Sequence, residues 1–176
     1  TKSAGIEGTA ILATDREHAL KQVINTQTLQ AAKNFYKQIS VVKDALTAYR
    51  TGGVHAMHDP TEGGVAGGIH EIADASNLGF KIFEEKIPVS KETLEICKFF
   101  KINPLYLIAS GSMLIATKQK SAEEIVKVLK ENEIQANIIG EMLLTPEKRI
   151  IKRKDGSEEE LARPVCDHLW LALEKT

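Results

Sequence analysis

The chain is short of several things that would fix its class at once. Of its 176 residues only two are cysteines, Cys97 and Cys166, and neither belongs to a Cys-x-x-Cys pair. That argues against a disulfide framework and against a cysteine-ligated zinc site. Charge of one sign is not in excess: 23 Lys+Arg stand against 24 Asp+Glu, a net charge of −1. Such a balance leaves no cationic surplus to neutralise a nucleic-acid backbone or an anionic membrane, so neither is an expected partner. No apolar run approaches the ~20 residues of a bilayer span, and no charged-then-apolar leader opens the chain, so the expected location is cytoplasmic. The first residue is Thr1 rather than Met, which points to an upstream part.

What is present is 43% hydrophobic residues, enough at this length for a single domain that buries about 70% of its extended-chain surface. Strand-like and helix-like spacings alternate without an internal repeat, which predicts a mixed α and β architecture. Thr9–Thr14 (TAILAT) reads as a short buried strand, and Asp15 as the cap of a helix to about Val23. Leu29, Ala32, Tyr36, Ile39, Val42, Leu46 and Tyr49 recur every three or four residues. They predict one helix with this face turned to the core, stopped by Thr51-Gly52-Gly53. Val54–His58 reads as a strand running into a helix over about 65–76, and Phe80–Phe83 as another strand. Ser90 suits the cap of a helix carrying Leu94, Cys97 and Phe100 on one side. Ser112–Thr117 is strand-like, and Ser121 to Glu124 has capping-box spacing at the head of a helix to about Asn132. Ala136–Leu143 and Arg149–Arg153 read as strands, Asp155-Gly156 as a hairpin turn, and Pro164 as the first turn of a last helix with Leu169, Trp170 and Leu173.

The densest chemical signal is His58-Asp59-Pro60-Thr61-Glu62-Gly63-Gly64-Val65-Ala66-Gly67-Gly68. Four glycines in six positions remove side-chain bulk where a strand becomes a helix, so the N–H groups of Gly63 and Gly64 can face an anion such as phosphate. Thr61 adds a hydroxyl donor, Asp59 can hold the loop or reach a magnesium ion on phosphate oxygens, and His58 can carry a proton at the same cleft. No Gly-Lys-Ser/Thr follows, so this is not a Walker loop. The same pattern equally suits a helix start whose glycines only allow close packing on a sheet. Ala109-Ser110-Gly111-Ser112 ends where a strand begins; Ser110 and Gly111 either line the same cleft or make an ordinary turn. His55, His58 and His70 lack metal-ligand spacing, since His55 and His58 lie three apart on a strand and face opposite sides, and no metal ligand set is expected. Cys97 is expected in the core and Cys166 in a structural role, while His18 and His168 read as surface residues. Lys2–Gly8 reads as an interdomain linker whose Glu7 is either a solvated loop residue, the expected case, or a carboxylate at the domain junction that helps bind metal or substrate, and Lys152–Glu160 reads as a solvated hairpin.

The stretch HAMHDPTEGGVAGGIHEIADAS resembles the AIR synthase (PurM-like) superfamily, and within it the hydrogenase expression/formation factors of the HypE family. GIEGTAILATDREHAL resembles that family's entry into its C-terminal domain, IPVSKETLEIC and NPLYLIASGSMLIA the segments that follow, and IIGEM a later strand. In order and spacing the likeness runs through nearly the whole chain. It implies an α+β fold, a mixed sheet covered by helices with partly ferredoxin-like topology. Residues 1–176 would form the C-terminal domain of a two-domain ATP-using protein, with 1–8 as the linker from an N-terminal ATP-binding half. ATP and magnesium would be held mainly by that other half, which would also form a homodimer, and metalloenzyme maturation proteins would be partners.

The chemistry the resemblance implies is ATP-dependent phosphorylation of an oxygen so that the oxygen can leave. In the hydrogenase factors the activated group is a thiocarbamate on a C-terminal cysteine, dehydrated to a thiocyanate. Catalysis of this kind relies on positioning and charge neutralisation. On that reading Thr61, Glu62, Gly63, Gly64, Ser110 and Gly111 contact phosphate or substrate, Asp59 and His58 are catalytic, and the isolated domain is inactive. Two departures qualify it. The chain ends LWLALEKT in place of a Pro-Arg-Ile-Cys tail, with Cys166 10 residues before the end. Glu62 also stands where the loop commonly carries arginine, which puts an anion beside a phosphate site. Two alternatives therefore stand beside it: a non-catalytic scaffold that keeps the fold, and a small-metabolite kinase or ligase of the same superfamily.

Overall fold

Where apolar residues recur every three or four positions the chain forms helices, and the strands are short runs of three to five residues between them. A computed structural model describes residues 1–174. The helices are α1 (Ile6–Asp15), α2 (Glu17–Leu20), α3 (Thr26–Lys33), α4 (Val42–Thr51), α5 (Gly64–Ser76), α6 (Lys91–Phe100), α7 (Gln119–Glu131) and α8 (His168–Leu173). The strands are β1 (Val54–His58), β2 (Gly79–Phe83), β3 (Leu114–Thr117), β4 (Gly140–Leu143), β5 (Arg149–Lys152) and β6 (Glu158–Glu160). They make an antiparallel pair, β1 with β3, and a four-stranded mixed sheet in the order β4-β2-β5-β6, in which only β2 and β5 run parallel. The architecture is α+β, a mixed sheet flanked by helices.

Helix α5 joins the two sheets. It buries Val65, Ala66, Ile69 and Ala73 in one cluster with Phe80, Ile82, Ile151 and Leu161, and burying side chains of this size stabilises by about 1.5–3 kcal/mol each. It lies close to the β1–β3 pair at Gly68, where a Cβ would come within 2.7 Å of Pro60, 2.9 Å of Leu114 on β3 and 3.1 Å of His58 on β1. A second cluster gathers α1, α3, α6 and α8 around Leu12, Leu29, Ile96, Leu107 and Leu169. In the four-stranded sheet β6 is a rim strand whose Glu158, Glu159 and Glu160 are all exposed.

Strand β1 falls on the residues the pattern predicts, Ser90 caps α6 by accepting from the Thr93 N–H at 3.1 Å, and Gly156 takes φ +89° in the hairpin between β5 and β6. Other expectations are corrected. Thr9–Thr14 lies inside helix α1, not in a strand: a short apolar run fits either, and Gly8 and Ala10 let a helix pack closely enough that a Cβ on Gly8 would meet Leu107 at 2.4 Å. Residues 1–8 are not a solvated linker, since Ala4 and Ile6 are buried and Ile6–Gly8 belong to α1. Asp15 ends α1 instead of capping α2. The stripe from Leu29 to Tyr49 breaks into α3, a 3-10 turn at Asn34–Gln38 and α4. Past the break it turns outward, with Tyr36, Val42, Leu46 and Tyr49 exposed. Helix α4 buries Asp44 and Ala48 instead, because Asp44 pairs with the Lys2 ammonium at 3.2 Å and the Thr1 hydroxyl at 2.6 Å.

Helix α7 starts at Gln119, so Ser121 lies inside it and does not cap it. Leu94 is exposed, and Ile96 joins Cys97 and Phe100 in the core. Residues 136–139 precede β4 without pairing as strand. Pro164 lies before α8, whose cap is Asp167.

Candidate functional site

Strand β1 delivers His58 and Asp59 to the mouth of the glycine turn. The His58 Nε2 lies 2.5 Å from the Glu71 carboxylate on α5, so the ring is tied to the helix that the turn begins. Asp59 reaches the other way and accepts the Gly111 N–H at 3.2 Å, which brings the Ala109–Ser112 turn beside the Asp59 loop. The two small-residue turns therefore meet, and Asp59 and Gly111 are the point of contact. Gly111 takes φ +102°, and a Cβ there would sit 2.8 Å from the Gln38 carbonyl, so only glycine fits. Ser110 is buried at the same turn, and the Ser112 hydroxyl donates to the Ser3 carbonyl at 2.7 Å.

The electrostatics single out Asp59. Burial, and after it the charge of Glu7, push its carboxyl above the ordinary range, against the downward pull of the Gly111 N–H. Glu7 stands in the first turn of α1, and its Oε2 is buried without a hydrogen-bond partner. A residue that reads as linker is thus the second carboxylate of the site. Its signal in the sequence is weak, because only the packing of α1 against the Leu105–Leu107 segment turns it inward. Lys2 lies nearby, but its ammonium is engaged by the Gln38 and Ser40 carbonyls at 3.0 and 2.8 Å and by Asp44.

The glycine turn is built as a helix start held from within the chain. Gly63 and Gly64 take φ +77° and +61°. A Cβ on Gly64 would come 2.5 Å from the Leu107 carbonyl. The N–H groups that the sequence offers to an anion are engaged: Gly63 donates to Asp167 Oδ2 at 2.7 Å and Gly64 to the Thr61 carbonyl at 3.0 Å. Thr61 and Glu62 are exposed on the outer side of the turn, so Glu62 stands in solvent.

Asp167 is the residue that reading the sequence missed. It is 4% exposed and accepts from Gly63, from Ile108 at 3.2 Å and from Leu169 at 2.7 Å. An aspartate before an apolar helix is readable as a cap, but its bond to Gly63 spans 104 residues and has no local signature.

The other candidates lie apart. His70 is buried on α5; its Nε2–H donates to the Leu161 carbonyl at 2.9 Å and its Nδ1 accepts from Arg149 at 2.9 Å. Burial keeps it below its ordinary pKa. Burial also pushes the Cys97 thiol up to about 12, so it is inert, whereas Cys166 is exposed. His168 is not a bare surface residue, because its Nδ1 accepts the Asn103 N–H at 3.0 Å and its ring stacks on Tyr106. Among the described residues no three His, Cys, Asp or Glu side chains converge as a metal cage. Two surface hollows, of about 260 Å³ beneath the Arg153–Gly156 turn and about 350 Å³ between α4 and α7, are not lined by Asp59 or the glycine turn. No helix of the described residues is long and apolar enough to cross a membrane.

Comparison with known proteins gives this arrangement a family. The chain is 32% identical over 140 residues, 76% of its length, to a Methanocaldococcus jannaschii protein that carries a provisional hydrogenase expression/formation name, of which it covers 42%. Its fold matches crystal structures of the hydrogenase maturation protein HypE. For the Escherichia coli protein the TM-score is 0.75 at 23% identity, covering 94% of this chain and 49% of that one. For HypE solved in complex with ATP it is 0.68 at 21% identity, covering 96% and 50%. For a HypE–HypF complex it is 0.73 at 24%, covering 93% and 51%. The chain spans about half the length of these relatives. The model of AIR synthase related protein, C-terminal domain, matches residues 1–152, and the chain belongs to that family.

Proposed function

We propose that this chain is the C-terminal half of an ATP-using enzyme that activates an oxygen by phosphorylation, acting in the cytoplasm and in the manner of the hydrogenase maturation factors. The observation that carries the reading is the meeting of the two turns at Asp59, where a carboxyl raised by burial and by Glu7 stands beside His58 at an open surface. A carboxyl poised to hold or release a proton suits the departure of an oxygen, and an open half-site suits completion by an ATP-binding half that brings the magnesium. Asp59 is the proton-handling group on this reading, and His58 orients beside it through Glu71. Phosphate or substrate contacts fall on the exposed Thr61 hydroxyl at the outer rim, with the buried Ser110 and Gly111 behind Asp59 as the inner wall. Gly63 and Gly64 serve as phosphate donors only where Asp167 and the Thr61 carbonyl give them up. Contacts with maturation-type proteins go with this reading, in line with the likeness to the HypE–HypF complex, and a homodimer formed through the other half is part of the same proposal.

A second reading, a scaffold that keeps the fold without the reaction, is favoured by those engaged N–H groups. One titration separates the two. β,γ-Methylene-ATP with magnesium is added to the full-length protein while the amides of Thr61, Ser110 and Gly111 are followed. Saturable shifts there support the enzyme, and their absence at millimolar analogue supports the scaffold. The 176-residue chain alone is expected to hydrolyse no ATP, and robust turnover by it would overturn the division of labour.

A further inference from the structure

We propose that Asp167 is the positioning residue of this site: its carboxylate fixes the glycine turn and the Ile108–Gly111 turn in one frame and so sets where Asp59 stands. The inference deepens the functional reading above and rests on it. Capping α8 requires only the bond from Leu169, as Asn25 caps α3 through Thr28 alone and Ser90 caps α6 through Thr93. Asp167 takes two more N–H groups from outside its helix, Gly63 at the head of α5 and Ile108 three residues before Gly111. Buried at 4% exposure, a carboxylate receiving these donors makes the stronger, charge-assisted kind of hydrogen bond.

The rest of the segment grips the glycine turn and the Asn103–Tyr106 stretch that leads into Ile108. The Pro164 ring lies 3.0 Å from where a Gly63 Cβ would be. Tyr106 donates to the Ala162 carbonyl at 3.0 Å and stacks on His168, whose Nδ1 accepts from Asn103. From Ile108 the frame passes through Gly111 to the carboxylate of Asp59. Residues 162–168 are therefore the strut between the two turns, with Asp167 as its pin.

Two variants of the full-length protein test this. Asp167→Asn keeps the shape but turns an N–H₂ group on one of its donors. Asp167→Ser keeps a cap for Leu169 but is too short to hold Gly63 and Ile108. Both are expected to speed amide exchange at Gly63, Ile108 and Gly111, and to weaken binding of magnesium β,γ-methylene-ATP about tenfold. Asn25→Ala, which removes a remote cap, should lower the melting temperature without changing either. Wild-type exchange at Gly111 in both aspartate variants, or an equal change from Asn25→Ala, would overturn the proposal. If the wild-type protein binds no analogue, the functional reading fails while exchange at Gly111 still decides the positioning role. If neither variant folds, the wild-type protein decides it. Gly63 and Ile108, held by one carboxylate, should then share one protection factor to within about threefold, and independent opening of the two would sink the idea.

Discussion

Two aspartates flank the meeting point of the turns, and they are built for opposite ends. Asp167 is sealed, its oxygens occupied by Gly63, Ile108 and Leu169. Asp59 is half-buried, holds one N–H from Gly111, and faces the like charge of Glu7. The fold has satisfied one carboxylate and left the other in want of a partner. A carboxylate with every donor in place contributes stability, whereas one desolvated with a single donor has a raised proton affinity that costs stability at neutral pH. The pair also shows that proximity to a glycine-rich turn does not by itself make a residue a ligand contact, because the carboxylate that touches the turn is the structural one.

The largest effect should come from breaking the sealed member. Asp167→Ala leaves three N–H groups, two of them buried, without their acceptor and is expected to lower stability by about 3 kcal/mol in urea denaturation. Gly63→Ala presses on the same strut from the other side. It forces a side chain into φ +77° and against Pro164, and should cost about 2 kcal/mol in the same assay.

A third buried ionisable group gives the reference for sign. His70 is held neutral, so its folded pKa lies below the unfolded value of about 6.5, and the unfolded chain binds the extra proton. Stability should therefore be level above about pH 6.5 and fall as pH drops toward the folded pKa, by up to about 1.4 kcal/mol per pH unit. His70→Gln should flatten that slope. Asp59 runs the other way. Its raised pKa favours the protonated form in the fold, so the stability it contributes at acid pH is lost as pH rises through the folded value. Asp59→Asn, which imitates the protonated state, is expected to stabilise slightly at neutral pH, by no more than about 1 kcal/mol after solvent screening, while abolishing nucleotide-dependent activity of the full-length protein. A loss of stability as large as that of Asp167→Ala would erase the contrast between the two.

The sequence made legible what local chemistry decides. Val54–His58 is bounded by Gly52-Gly53 and Asp59-Pro60, and Ser90 precedes an amphipathic run, so both element and cap could be read from neighbours. The contact of Asp59 with the Ser110-Gly111 turn was not decided by the sequence, because two small polar stretches next to strands suit ordinary turns as well as a shared cleft. What failed depends on distance along the chain. TAILAT is helical because α3, α6 and α8 surround it, and no residue within it says so. Tyr36, Val42, Leu46 and Tyr49 keep helical spacing, but the 3-10 turn at Asn34–Gln38 exposes Tyr36, and the pairing of Asp44 with Lys2 sets α4 with Val42, Leu46 and Tyr49 toward solvent. Glu7 and Asp167 enter the site only through tertiary packing, and no motif announces either.

The rim strand β6 has a consequence for how copies of the protein meet. An unpaired strand normally invites another to extend the ladder. Here an approaching β6 would bring its own Glu158, Glu159 and Glu160 against the same three side chains, of which Glu158 is paired with Lys81 at 2.6 Å and Glu159 with Arg153 at 2.5 Å. Lateral growth from that side has to accommodate or break those ion pairs, so the rim is a poor template for a second copy.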